Sequence, residues 1–234
     1  EDPIEITQPG LRQMQVNDKL GLTFASALRS FLRADPDVIM IGEIRDPETA
    51  GIAIEASLTG HLVLSTLHTN SAAETVVRLL DLGVDPFNFA DSLLGIVAQR
   101  LVRALCRHCS HPHRLGPGQF DRLVSEYIFE SPLDHEEGTK RLLAAAGVAM
   151  PEQLAVRSAQ GCAQCGGTGY HGRIGVFEVL EVHGALRAMI QSRARPAQLA
   201  TEAMLHGMRT LRQDALEKMV QGRTDFVQAR TAYL

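Results

Sequence analysis

Four cysteines stand in two Cys-x-x-Cys pairs, Cys106/Cys109 and Cys162/Cys165, with 52 residues between the pairs. Two residues between thiols let both sulfurs point inward from one tight knuckle, and two knuckles supply the tetrahedral thiolate set that Zn2+ prefers. The pairs therefore predict one structural zinc site of Cys106, Cys109, Cys162 and Cys165, with an insertion of roughly residues 110–160 held at its base. Disulfides suit secreted chains, and no secretory pattern opens these residues; a redox motif needs only one pair, at a helix start. His108, His111 and His113 crowd the first knuckle and could replace a thiolate. With four cysteines present they are expected to be exposed loop histidines.

The second constraint is the run Val38, Ile39, Met40, Ile41, bounded by Pro36 and Gly42. A short unbroken apolar run of this kind suits a central strand of a parallel sheet. Glu43 follows it. Ligands of open α/β sheets collect outside the carboxyl ends of the strands, so an acid there can face a nucleotide, a metal ion or an attacking water. The arrangement is that of a Walker-B-like acid, yet no Gly-x-x-x-x-Gly-Lys-Ser/Thr phosphate cradle occurs in the 234 residues. The stretch Gly167–Gly172, GTGYHG, matches G-x-G-x-x-G but follows a cysteine and runs into the strand-like RIGVFEVL. Its glycines are expected to supply the positive φ angles of a zinc-knuckle turn.

Around these motifs the pattern alternates. Phe24, Leu28, Phe31 and Leu32 predict a helix over 23–33; Pro47 opens another that Gly60 ends; residues 62–66 read as a strand, and Ser71 caps a helix running to Gly83. Leu93, Val97, Leu101 and Leu105 predict a longer helix from about 88 to 105. Helical hints at 119–129 and 136–146 lie in the insertion, a strand is expected at 174–180, and 184–234 reads as short helices broken at Pro196, Gly207 and Gly222. Such alternation argues for a mainly parallel sheet with helices against it. A hydrophobic content of 45% supports a sizeable core, and a formal charge of -4 gives no basic face for nucleic acid. No apolar run approaches the roughly 20 residues of a membrane span.

In order along the chain, EDPIE, LRADPDVIMIGEIRDPETA, TGHLVLSTLHTNSA, AQRLVRALCRHC and GCAQCGGTGYHGRIGVFEVL resemble the carboxyl-terminal ATPase domain of bacterial type II secretion and type IV pilus assembly ATPases, over nearly the whole chain except 110–160. The resemblance implies an α/β, RecA-like P-loop NTPase core. It also implies that the P-loop precedes EDPIE, so this chain would begin after it and would be inactive alone. Residues 1–105 would be the ATPase core without its Walker A segment, 106–172 the tetracysteine subdomain with its variable insertion, and 173–234 the strand and helices that complete the domain.

By the same resemblance Glu43 is the Walker B acid that orients or deprotonates the attacking water. Gly42 stands where a standard Walker B has Asp, so Mg2+ would be met through water. Glu1 and Glu5 fall in an acidic box with a catalytic carboxylate, Glu1 being favoured. His61 and His68 fall in a histidine box near the γ-phosphate. Arg29, Arg33 and Arg45 are candidates for compensating phosphate charge. The implied protein is a homo-hexamer that uses ATP, Mg2+ and Zn2+. It is cytoplasmic, peripheral at the inner membrane without inserting in it, and works on a platform protein there. The competing reading is a non-hydrolytic zinc-bearing binding or scaffold module.

Overall fold

The computed structural model describes all 234 residues. In chain order its elements are α1 (Phe24–Leu32), β1 (Val38–Ile41), α2 (Pro47–Leu58), β2 (Leu62–Ser65), α3 (Ala72–Asp81), α4 (Pro86–Ser92), β3 (Gly95–Leu105), β4 (His111–Arg114), α5 (Gln119–Ile128), α6 (His135–Ala146), β5 (Ala155–Ser158), β6 (Tyr170–Glu181), α7 (Gly184–Gln191), α8 (Pro196–Leu205), α9 (Leu211–Val220) and α10 (Phe226–Arg230). They fall into two units, Glu1–Leu94 with Val182–Leu199, and Gly95–Glu181 with Ala200–Leu234.

In the first unit, short polar side chains start the helices where the sequence puts them. Thr23 and Ser26 form a capping box on α1, Asp46 accepts from the Thr49 N–H at 2.8 Å with Pro47 in the first turn of α2, and Ser71 caps α3. β1 and β2 pair in parallel, from Val38 opposite Leu62 to Ile41 opposite Ser65. Ile39 and Ile41 are buried with Ala25 and Leu28 of α1 and Ile52, Ala53 and Ala56 of α2. The opposite face is bare: Val38, Met40, Leu62 and Leu64 are all exposed. The unbroken apolar run thus has only one of its two faces covered.

The second unit is built on two antiparallel pairs. β3 and β6 form a long ribbon, and β4 pairs β5 across the insertion. Tyr127 and Val124 of α5, Leu142 of α6, Val102 of β3, Val176 of β6 and Leu216 of α9 form one core. The expected helix over 88–105 is not there: α4 ends at Ser92 and residues 95–105 are strand. A spacing of four is shared by one helix face and one strand face, and Ile96, Val97 and Val102 favour the strand once β6 pairs along it. Val97 and Leu101, which the helical reading would bury, are exposed; Val102 is 2% exposed. The β4–β5 pair was likewise unforeseen, since His111–Arg114 is exposed along its length and carries no apolar signal. Only one of the three strand pairs is parallel.

Candidate functional site

β1 delivers Glu43 just beyond its carboxyl end, and β2 delivers Thr66 beside it. The Ile44 N–H donates to the Thr66 carbonyl at 3.1 Å, and the Thr66 hydroxyl donates to the Gly42 carbonyl, so the two strand ends are tied together. Glu43 is 13% exposed; its Oε1 lies 2.5 Å from a guanidinium nitrogen of Arg45, and its Oε2 lies 3.6 Å from His68 Nε2. Arg45 also faces Asp2 at 3.7 Å, and the Glu43 carboxylate holds the Arg45 pKa above its ordinary value. The Glu1 backbone lies against Gly42. A Cβ on Gly42 would stand 3.4 Å from the Glu1 Cα and 3.6 Å from the Phe24 ring. Gln13 Nε2 donates to Glu1 Oε1 at 2.9 Å, while the Val16 N–H donates to the Glu1 carbonyl at 3.0 Å. A recessed carboxylate bracketed by a guanidinium and an imidazole can orient a water or take its proton, and the Arg45 guanidinium suits an anionic substrate.

Glu43, Arg45 and His68 are therefore brought together, and Glu1 is placed with its backbone against Gly42, the residue before Glu43. The other sequence candidates are not. His61 stands at the start of β2, the far end of that strand from Thr66, with its Nδ1 2.9 Å from the Ala56 carbonyl. Arg29 is paired with Glu48 of α2 at 2.7 Å, Arg33 is exposed past the end of α1, and Glu5 is exposed. Thr66, Asp2 and Gln13 were missed. Thr66 directly follows a strand beside the acidic one, which is a legible signal; Gln13 gives none.

The four cysteines converge in the second unit. Their Sγ atoms lie within 4.8 Å of one another, with separations of 3.9 Å for Cys106 and Cys162, 3.8 Å for Cys109 and Cys165, and 3.7 Å for Cys162 and Cys165. A tetrahedron with Zn–S bonds of about 2.3 Å has edges of about 3.8 Å, so the donor set fits zinc; a disulfide needs about 2.05 Å. Backbone N–H groups of Gly161, Cys162 and Gly169 donate to the sulfurs of Cys109, Cys165 and Cys165. Burial pushes the Cys165 thiol up, but the Cys162 and Gly169 N–H donors and the neighbouring thiols outweigh it and hold it at about 6; at Cys109 burial prevails over the Gly161 N–H and raises the thiol to about 11. Gly167, Gly169 and Gly172 take φ of 78°, 78° and 75°, as a knuckle turn requires. Gly169 also has no room for a side chain, because a Cβ would meet Ala159 at 2.6 Å.

A family model described as type II/IV secretion system protein matches residues 1–231. The chain belongs to that family. It is 45% identical over 99% of its length to the type IV pilus assembly ATPase PilB of Thermus thermophilus, and 46% identical over 96% of its length to the type II secretion system protein E of Pectobacterium carotovorum subsp. carotovorum. It spans 24% of the first relative and 40% of the second. Among solved structures it resembles the pilus retraction motor PilT with bound ADP, at a TM-score of 0.62 and 27% identity, covering 99% of this chain and 50% of that one. The Legionella pneumophila ATPase DotB has the same fold, at a TM-score of 0.59 and 22% identity, covering 98% of this chain and 49% of that one. As a member of this secretion family the chain shares an α/β fold with solved ATPases. No helix is long and apolar enough to cross a membrane.

Proposed function

We propose that this chain is the part of a hexameric ATPase that carries the catalytic acid, in a protein that couples ATP hydrolysis to assembly of a pilus or pseudopilus in type IV pilus biogenesis or type II secretion. The observation that carries the reading is Glu43, recessed at the carboxyl end of a parallel strand between Arg45 and His68. Glu43 positions the attacking water and accepts its proton. Glu1, whose carboxylate is held by Gln13 and whose backbone lies against Gly42, is the second candidate acid. Arg45 and His68, both largely exposed, turn toward the γ-phosphate of ATP, whose Mg2+ complex neutralises the remaining phosphate charge.

Zn2+ on Cys106, Cys109, Cys162 and Cys165 joins the end of β3 to the start of β6 and closes the base of the insertion. The partner is a platform protein at the cytoplasmic face of the inner membrane, and the chain works there without inserting. The type II and type IV readings share every residue named. Glu43→Gln, made in the protein as the cell makes it, should lower Mg-ATP turnover by about 10²–10⁴-fold, the usual worth of a positioned base, while leaving ATP binding within a factor of a few. Unchanged turnover would move the base to Glu1, and absence of turnover in the unmodified protein would favour a zinc-bearing scaffold.

A further inference from the structure

The ribbon of β3 and β6 is irregular at the end nearest the knuckles. Arg103 stands opposite Arg173 and Leu105 opposite Tyr170, so one residue of β3, Ala104, faces two of β6, His171 and Gly172. This is a β-bulge, and Gly172 adopts φ +75°, the left-handed conformation that glycine takes without strain. Bulges bend a strand and re-aim its side chains. Here the in–out alternation is lost: His171, Gly172 and Arg173 are exposed in succession.

Beside the bulge lies a cavity of about 420 Å³, lined by Arg107 and His108 of the first knuckle and by His171 and Arg173 of the bulge, with Ala104, Leu105 and Ile174 as apolar walls. That volume falls in the range of small-molecule sites. No Asp or Glu lines it. None of the four basic side chains has a hydrogen bond, an ion pair or a ring partner within the chain. By contrast Arg209 and Arg230 of the same unit meet the carboxylates of Glu217 and Glu126. Of the four cysteines only Cys106 lines the cavity, which adjoins the thiol cluster without being lined by Cys109, Cys162 or Cys165.

We infer that this cavity is an anion site for a phosphate-bearing ligand with at least two negative charges, a group such as a pyrophosphate or a phospholipid headgroup. Two guanidinium forks match phosphate oxygens in pairs, an imidazole in either tautomer adds an N–H donor, and the apolar walls accommodate the ligand's uncharged part. The proposal is independent of the Glu43 site.

The experiment uses the zinc-loaded 234-residue chain. Calorimetric titration with pyrophosphate and with ADP, both without Mg2+, is set beside sedimentation with vesicles of phosphatidylglycerol and phosphatidylcholine against phosphatidylcholine alone. Arg107→Gln and Arg173→Gln should each weaken binding by roughly tenfold, the worth of a charge-assisted hydrogen bond, with the Lys replacements losing less and zinc content unchanged. In the unmodified chain, pyrophosphate should protect Arg107 and Arg173 from phenylglyoxal, a readout that needs no variant to fold. Pyrophosphate or ADP binding that follows the arginines assigns a free phosphate ester; binding to the anionic vesicles alone assigns a headgroup. The inference is overturned if neither ligand binds, if binding ignores both substitutions, or if the Gln variants lose zinc. In the last case the arginines serve the charge of the thiolate cluster.

Discussion

Removing zinc should lower the melting temperature of this chain, by an amount that linkage to free zinc sets. The S···S separations of 3.7–3.9 Å already equal the edge of a zinc tetrathiolate, so binding needs little rearrangement of the folded chain and cannot be matched by the unfolded one. With free zinc buffered at a hundredfold over its dissociation constant, linkage gives about 2.7 kcal/mol. For a chain of this size that is a loss of about 5–11 °C on transfer to a chelator. Differential scanning calorimetry in a zinc buffer and in EDTA measures it, with metal analysis giving one zinc per chain. Cys109→Ser should remove most of the difference, because one thiolate in four is replaced by a poor ligand. An identical melting temperature in both buffers, or four thiols alkylated at the same rate with and without zinc, would refute the reasoning.

The tyrosines give a pH test. Burial, then hydrogen bonding to a carboxylate, raises all three: Tyr170 to about 12 against Asp225, and Tyr127 and Tyr233 further still against Glu217 and Glu126. A raised acid favours its protonated form in the fold, so the stability from Tyr170 is complete below pH about 10 and lost as the pH rises toward 12. Absorbance at 295 nm should therefore show no tyrosine ionising near pH 10 while the chain is folded; one that does would break the corresponding bond. Gly138→Ala, which by helix propensity should stabilise α6 by about 1 kcal/mol, should instead destabilise by about 1–3 kcal/mol. Its Cβ would stand 2.4 Å from Ile128 Cγ2 and 3.3 Å from Val124 Cγ1, and denaturant titration decides the sign.

The parts of the fold that sequence made legible are those fixed locally. Ser71 announces its helix because a side-chain oxygen three residues ahead of an amide is sufficient cause, and Pro47 marks the start of α2 through its fixed φ. The thiol cluster was legible because four soft ligands at knuckle spacing have few other uses. β3 was misread because its periodicity carries two answers, and only β6, about 75 residues on, selects between them. At the site, Glu43 could be named from a strand end and His68 from the family resemblance, but the Gln13–Glu1 bond and the Asp2–Arg45 contact depend on how a loop folds back. The basic cavity was invisible for the same reason. Arg107 and Arg173 are far apart in sequence and meet only through the ribbon register and its bulge.

The bare face of the β1–β2 pair ties the fold to the function. Parallel strands are ordinarily covered on both sides, yet Val38 (54% exposed), Met40 (68%), Leu62 (44%) and Leu64 (48%) project from one face with nothing over them. Covering them would contribute roughly 1 kcal/mol each, since about half of each side chain's area remains to be buried. The same two strands lead into Glu43 and Thr66, so whatever covers the face also stiffens the platform that holds the proposed catalytic acid. Met40→Ser separates the two situations. In the 234-residue chain the change should alter stability by no more than about 0.5 kcal/mol, as for an exposed position. In the protein as the cell makes it, a covered Met40 would make the same change cost about 1–3 kcal/mol and lower Mg-ATP turnover with it. Equal small effects in both would mean that the face stays open in the working protein, and that the aim of Glu43 is set within the first unit by its contacts with Arg45 and His68 and by the Thr66 tie between the strand ends.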